Sequence, residues 1–469
     1  MKTLMTILVL IFFLVIYFSC KSSVNKKTHN KPPNILILLA DDLGYGDLSC
    51  YGSQSIETPN LDALASQGMR FTRFYAGSAV CSPSRACLLT GNFPLRVNAT
   101  RHFDDKEMHL PIETVTLPEI LKQNGYTTGH IGKWHLGGLR PMDFEGRLNN
   151  KRALPGPQQH GFDYYLANIE GEPIRSMLIN DRKLYREGGK YLVENDHRLP
   201  ENDEHWTVIK ANKAIELVNK WNNETNPYYL QIWFDVPHTP YEPAPEPHLS
   251  KYQALGCEGD QLYFRSMVSH MDEQIGRIIQ SLKETGQFEN TIILFSSDNG
   301  PAFQGNPGPF KGGKTDLHEG GIRVPAFWVW KGHIQENSHS FEIGHFVDVF
   351  PTICEIANID ISKSKIDGQS ILPVLTLDQK IKNRTLLWQM DLYQHFQNQG
   401  EKPKPYSTMV AMKGEWKMLA DSLKAVELFN LAQDHREIYN LLGTEKTIED
   451  SLSQSIARFI AEPKLNCCK

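Results

Sequence analysis

The chain is poor in the features that define whole classes of protein. It has eight cysteines in 469 residues, scattered and with no Cys-x-x-Cys pair. That excludes a disulfide scaffold and argues against a thiolate zinc site. Positive charge is not in excess: 49 Lys and Arg face 54 Asp and Glu, for a net charge of −5. No basic field exists for bulk nucleic-acid binding, although local basic groups can still hold a small anion. Long apolar runs are missing beyond the first twenty residues, and the mean hydropathy is −0.40, which excludes a polytopic membrane protein. Internal repeats and low-complexity tracts are also missing. What remains, 40% apolar and 22% charged, is ordinary globular composition. The length suits one large domain with a smaller one, or two comparable ones.

The first residues follow their own pattern. Met1-Lys2 precedes an uncharged stretch, Leu4 to Phe18, and a polar tract runs from Lys21 to Pro33. This is a signal-peptide layout, with an apolar run too short for a comfortable membrane span. Ser19-Cys20 resembles a bacterial lipobox, with Tyr17 and Phe18 bulkier than the usual residues there. The expectation is a signal peptide over 1–19, a lipidated Cys20 at the mature N-terminus and a tether over 20–33. The protein would then be an exported lipoprotein of a bacterial surface or periplasm, touching membrane only through that anchor.

Asn34 to Ala40, Thr127 to Gly132, Tyr228 to Asp235, Thr291 to Ser297 and Val324 to Trp330 read as buried strands. They are short, continuous and bounded by polar residues. Helical patterns at Leu61 to Gln67, Leu117 to Gln123, Trp206 to Trp221 and Phe264 to Thr285 lie between them. The alternation predicts an α/β domain over 34–375, its largely parallel sheet covered by helices on both faces. A C-terminal subdomain is expected over 376–469. Its short antiparallel strands fall at Ser407 to Met412, Trp416 to Ala420 and Val426 to Asn430, with a closing helix at Ile448 to Ile460.

Chemistry-bearing residues follow the buried strands. Asp41 and Asp42 follow the first, Lys133 and His135 the second, His238 the third, and Asp298 and Asn299 the fourth. In open α/β sheets ligands bind at these carboxyl ends. Adjacent carboxylates repel unless a cation neutralises them. An oxygen-only set of Asp41, Asp42, Asp298 and Asn299 suits calcium or magnesium rather than zinc.

Residues 81–91 read CSPSRACLLTG. Ser82 can cap a helix, Pro83 fits its first turn and Gly91 can end it. Cys81 then lies at a helix N-terminus, which favours anions, with Arg85 one turn on along the same face. On chemistry alone Cys81 is a candidate nucleophilic thiolate.

The pattern C-x-P-S-R-x-x-x-L-T-G is similar to the signature of type I sulfatases and matches every fixed position. ADDLGYGD (40–47), GKWHLG (132–137), PHTP (237–240), SDNG (297–300) and GGKTDLHEGGIRVPA (312–326) resemble further family motifs, in order. GEWKM (414–418) and ELFNLAQDHREIYNL (427–441) do so near the C-terminus. The resemblance implies an alkaline-phosphatase-like fold, with a large mixed sheet and a small C-terminal sheet. It implies that Cys81 is oxidised to formylglycine by a formylglycine-generating or anaerobic sulfatase-maturating enzyme. It further implies a calcium site of Asp41, Asp42, Asp298, Asn299 and the modified Cys81. Arg85, Lys133 and Lys314 would hold the sulfate, His238 would protonate the leaving alcohol, and His135 would release the product. Lys314 rather than Lys311 sits at the family spacing G-K-x-x-x-x-E-G-G.

Two other functions stay open on these residues. One is a phosphonate or phosphodiester hydrolase on the same scaffold. Such enzymes usually carry His after the metal-binding Asp, where this chain has Asn299. The other is a non-catalytic glycan-binding lipoprotein, which the intact polar set argues against. The expected substrate is a sulfated polysaccharide or oligosaccharide. Arg101, His102, Asp104 and Arg175 are candidate sugar contacts, because their segments follow motifs whose loops should rim the pocket.

Overall fold

The run NILILLA forms a strand because both faces of that strand are covered. Ile35, Ile37 and Leu39 enter one apolar core, and Leu36, Leu38 and Ala40 enter the other. This is the period-two alternation of a strand buried on two sides. The computed structural model describes residues 31–103, 108–140, 146, 153–169, 175–179, 182–186, 192–200, 204–391 and 408–462. The expected signal peptide, Cys20 and most of the tether lie outside the described residues.

Strands are numbered along the chain. The first half holds β1 (Asn34–Ala40), β2 (Met69–Phe71), β3 (Phe74–Tyr75), β4 (Thr127–Gly132) and β5 (Tyr164–Asn168). It also holds β6 (Arg175–Ile179), β7 (Arg182–Arg186), β8 (Leu192–Glu194) and β9 (His197–Arg198). The second half holds β10 (Tyr228–Trp233), β11 (Thr291–Ser297), β12 (Ala326–Val329), β13 (Ser338–Ser340) and β14 (Gly344–His345). The last four are β15 (Thr385–Gln389), β16 (Met409–Lys413), β17 (Trp416–Asp421) and β18 (Lys424–Asn430).

The large sheet has the order β13-β2-β12-β11-β1-β10-β4-β5-β8-β9. Its middle, β11-β1-β10-β4-β5, is parallel throughout. Toward the edges, β12 pairs antiparallel with β11, and β8 with β5. The segment at Val324 to Trp330 is therefore a strand, but shorter than expected and reversed. Helices Trp206–Asn222 and Gly259–Glu284 bury their apolar stripes against one face.

The small sheet, β15-β16-β17-β18, is antiparallel, and helix Lys446–Ala461 packs on it through Leu452, Ile456 and Phe459. The mixed, mostly parallel sheet with a separate C-terminal antiparallel sheet is the architecture that the sequence implied. The division drawn between 375 and 376 falls inside helix Leu372–Leu377. Trp388, Val410, Leu419 and Phe429 of the small sheet share one core with Ile35 and Tyr229 of the large one. Among the described residues no helix is long and apolar enough to cross a membrane.

Candidate active site

Because β11, β1, β10 and β4 are neighbours and parallel, their carboxyl ends form one edge. Backbone bonds carry the ladder past the strands: Asp41 N donates to Val236 O (3.0 Å), Asp298 N to Ala40 O (3.1 Å) and Lys133 N to Trp233 O (3.0 Å). Asp41, Asp42, Lys133, Asp298 and Asn299 thus reach one spot from segments far apart in sequence. The turns that aim them are tight. Asp42 has φ 63° and His135 φ 57°, left-handed values uncommon for residues with a side chain and frequent at functional sites.

Cys81 opens helix Cys81–Thr90, with Val80 as its N-cap and Gly91 at φ 66° closing it. Ser82 is not the cap; its hydroxyl accepts from Phe103 N at 3.1 Å. Cys81 is fully buried, and its thiol lies 3.4 Å from Asp41 Oδ1 and 3.9 Å from Lys133 Nζ. Burial raises its pKa well above the usual thiol range, and Asp298 pushes the same way. Arg85 lies beneath it, donating from Nε and Nη2 to Asp298 Oδ2 (3.0 and 2.6 Å) and from Nη1 to Lys133 O (3.0 Å). Trp233 stacks under that guanidinium, 5.0 Å from its ring centre.

Each carboxylate faces a cation, and Arg85 also lies 3.4 Å from Asp41 Oδ1. Lys133 Nζ donates to Asp41 Oδ2 (2.7 Å), Lys314 Nζ to Asp42 Oδ2 (2.8 Å), and Arg85 binds Asp298. Burial raises the carboxyl pKa of Asp41, but Lys133, His238, Arg85 and Lys314 together hold it well below the usual range. Asp298 is pushed up to about 6, by burial first and then by Asp41. Asn299 Nδ2 donates to Asp42 Oδ1 (2.7 Å) and to Gly300 O (2.9 Å). Its buried Oδ1 has no hydrogen-bond donor among the described residues.

Two imidazoles complete the arrangement. His238 Nδ1 donates to Thr239 O, which leaves Nε2 facing Asp42 Oδ2 at 3.6 Å. His135 is buried, and burial, His102 and Lys133 hold its pKa well below the usual imidazole range. One ligand atom each of Asp41, Asp42, Cys81 and His238 lies within 4.8 Å of the others, and so do those of Cys81, His102 and His135.

The expected catalytic and metal-binding residues therefore meet in one network. Lys311 lies apart, at Glu427 (3.3 Å). Of the sugar candidates, His102 sits edge-on to His135 at 3.9 Å, and Arg101 makes no ion pair among the described residues. Asp104 lies outside the described residues, and Arg175 is placed only as backbone, in β6. Sequence reasoning missed Trp233 and Asp47. The Asp47 carboxylate accepts from the amides of Gly44 (2.8 Å) and Asn306 (3.0 Å) and so ties the loop after β1 to the loop after Asn299. Asp47 stands inside ADDLGYGD, and that position was its only signal.

A family model described as "Sulfatase" matches residues 33–359. The chain belongs to the sulfatase family. A second model, "N-sulphoglucosamine sulphohydrolase, C-terminal", matches residues 312–462 of this sulfatase. Human N-acetylgalactosamine-6-sulfatase is 34% identical over 379 residues, covering 76% of this chain and 68% of the relative. Human arylsulfatase A is 30% identical over 458 residues, covering 88% and 84%. Among solved structures, Ps i-CgsB in complex with k-i-k-neocarrahexaose superposes with a TM-score of 0.80 at 25% identity, covering 92% of this chain and 93% of that one. The chain is a sulfuric ester hydrolase on these grounds.

Proposed function

We propose that this sulfatase removes sulfate from a sulfated polysaccharide or oligosaccharide, with residue 81 acting as formylglycine and calcium held at the strand ends. The observation that carries the reading is the state of Cys81. A buried thiol whose pKa is raised is a poor nucleophile, yet it stands at a helix N-terminus among three cations. The place suits a converted residue better than a working cysteine. Asn299 Oδ1, buried and without a donor among the described residues, supports a cation there. Asp41, Asp42, Asp298 and Asn299 would hold it, and their hard oxygens fit calcium. The ion would add positive charge beside the sulfate oxygens. Formylglycine, when formed, supplies as its hydrate a nucleophile and a second hydroxyl through which sulfate is released.

The chain's own groups do the rest. Arg85, Lys133 and Lys314 offset charge on the sulfate oxygens. Asp298 accepts the proton of the attacking hydroxyl. His238, its Nδ1 committed to Thr239, donates from Nε2 to the leaving alcohol. His135, kept neutral, accepts the second hydroxyl's proton. The relatives' names, one for a sulfated amino sugar and one for a carrageenan-type oligosaccharide complex, support a glycan substrate. His102, against His135, supports a sugar contact on that side, with Arg101, Asp104 and Arg175 as further contacts. Export as a lipoprotein through Cys20, and a maturating enzyme as partner, follow from the N-terminal pattern and from Cys81.

The test combines three measurements on protein made with a maturating enzyme. Mass spectrometry of the peptide with residue 81 should read about 18 Da below cysteine, the difference between CH₂SH and CHO. Metal analysis should return calcium, and sulfated oligosaccharides should turn over in preference to phosphate diesters. Full activity from unmodified cysteine, or preferred phosphodiester turnover, overturns the reading.

A further inference from the structure

The loop that carries Lys314 is braced from the small sheet. Lys314 N donates to Pro301 O (2.8 Å) and Thr315 N to Ala79 O (2.9 Å), so the loop is laced to both the Asn299 turn and the Cys81 turn. Packing there admits no side chain. A Cβ on Gly300 would lie 1.9 Å from Gly320 O, and one on Gly321 1.7 Å from Asp316 O.

A further hold comes from charged groups about a hundred residues downstream. His318 Nδ1 bonds Asp316 Oδ1 (2.5 Å) inside the loop, and its Nε2 bonds Glu427 Oε2 (2.7 Å) on β18. Next to it, Glu319 Oε1 meets Lys417 Nζ of β17 at 3.0 Å, and Glu319 N donates to Glu437 Oε2 at 2.6 Å. Both ring nitrogens of His318 face carboxylates, which holds it as an imidazolium. Asp316, whose carboxylate it grips, is two residues from Lys314, and Asp316 N donates to Gly313 O (3.0 Å). Apolar packing would bury this interface at lower desolvation cost. What charged hydrogen bonds add is direction.

We infer that His318 is a positioning residue for sulfate binding: by bridging Asp316 to Glu427 it fixes the Lys314 loop on the small sheet and sets where the Lys314 ammonium meets the sulfate. The inference rests on Lys314 as a sulfate ligand. His318 itself touches no reacting atom.

The experiment uses the full, matured chain, with residue 81 conversion equalised by mass spectrometry. KM and kcat for a sulfate ester, and the inhibition constant of inorganic sulfate, are measured for the parent, His318→Gln, Lys314→Ala and the double variant. His318→Gln should raise KM and the sulfate inhibition constant together, by about tenfold, a size typical of coupled neighbours, with kcat changed far less. In the Lys314→Ala background the same substitution should add almost nothing. Glu427→Gln, which keeps the side-chain volume, should shift both constants in the same direction, and it serves if His318→Gln folds poorly. A lowered unfolding midpoint with both constants unchanged would mean that His318 only braces the fold, and would overturn the inference. If Lys314→Ala itself leaves sulfate inhibition unchanged, the failure lies in the assignment of Lys314, and the inference falls with it.

Discussion

Two buried charge clusters flank the loop that runs from Lys311 to Arg323, and they are built from the same materials. At the strand ends, Asp41, Asp42 and Asp298 face Lys133, Lys314 and Arg85. Under the small sheet, Glu319 and Glu437 face Lys417. Every side chain of the second cluster is sealed, at 0% exposure. In the first, Lys314 and His238 open to solvent at 16% and 15%. Buried charge alone therefore does not mark a reactive site. Access to solvent does.

The contrast breaks most visibly at Cys81. Cys81→Ser should lower turnover by about 10⁴-fold or more, as loss of a nucleophile does elsewhere. The change is one buried atom, so the urea midpoint should barely move. Unfolding together with inactivation would make the open cluster structural as well. Lys417→Met probes the sealed side. It removes the cation shared by Glu437 and Glu319, the latter keeping Arg323 at 3.2 Å, and should cost about 3–5 kcal/mol of stability, read as a lower urea midpoint at unchanged slope. An unmoved midpoint would erase the contrast.

Acidity sharpens it further. Against the burial that lowers it, Asp316 and Glu427 raise the pKa of His318 to about 9, above the ordinary 6.5. A raised folded pKa contributes stability that is complete below pH 6.5 and lost as pH climbs through about 9. Unfolding free energy should therefore fall by on the order of 3 kcal/mol across that window, and His318→Gln should flatten the decline. The smallest effect is expected at Lys311, whose side chain is 41% exposed beside Glu427. Lys311→Ala should cost about 1 kcal/mol or less and leave turnover within about twofold, whereas Lys314→Ala should not. Equal losses would mean that the two lysines had been assigned wrongly.

Legibility in the sequence followed the same division. Asp41, Asp42, Lys133 and Asp298 of the open cluster could be read because each follows a continuous apolar strand, and parallel strands bring such ends together; Arg85, on the Cys81 helix, and Lys314, in a loop, were legible only through motif spacing. The sealed cluster could not, although GEWKM and ELFNLAQDHREIYNL contain Lys417 and Glu437. Its pair Glu319–Lys417 and the neighbouring bridge His318–Glu427 join residues 98 and 109 positions apart, and no local pattern names a partner at that range. The reversal of β12 was hidden for a related reason. A short apolar segment buried on both sides reads alike in either direction. Ser82 misled because a serine beside Pro83 imitates a cap, while the helix had already begun at Cys81.

The spacing of the open cluster's partners also governs how the molecule comes into being. Arg85 meets Asp298 across 213 positions, and Lys314 meets Asp42 across 272. Contacts of such high order close last, since each closes a long loop before any contact rewards it. A chain emerging residue by residue has completed its first strand and the Cys81 helix long before Asp298 exists. Helical signal should thus recover ahead of activity on refolding.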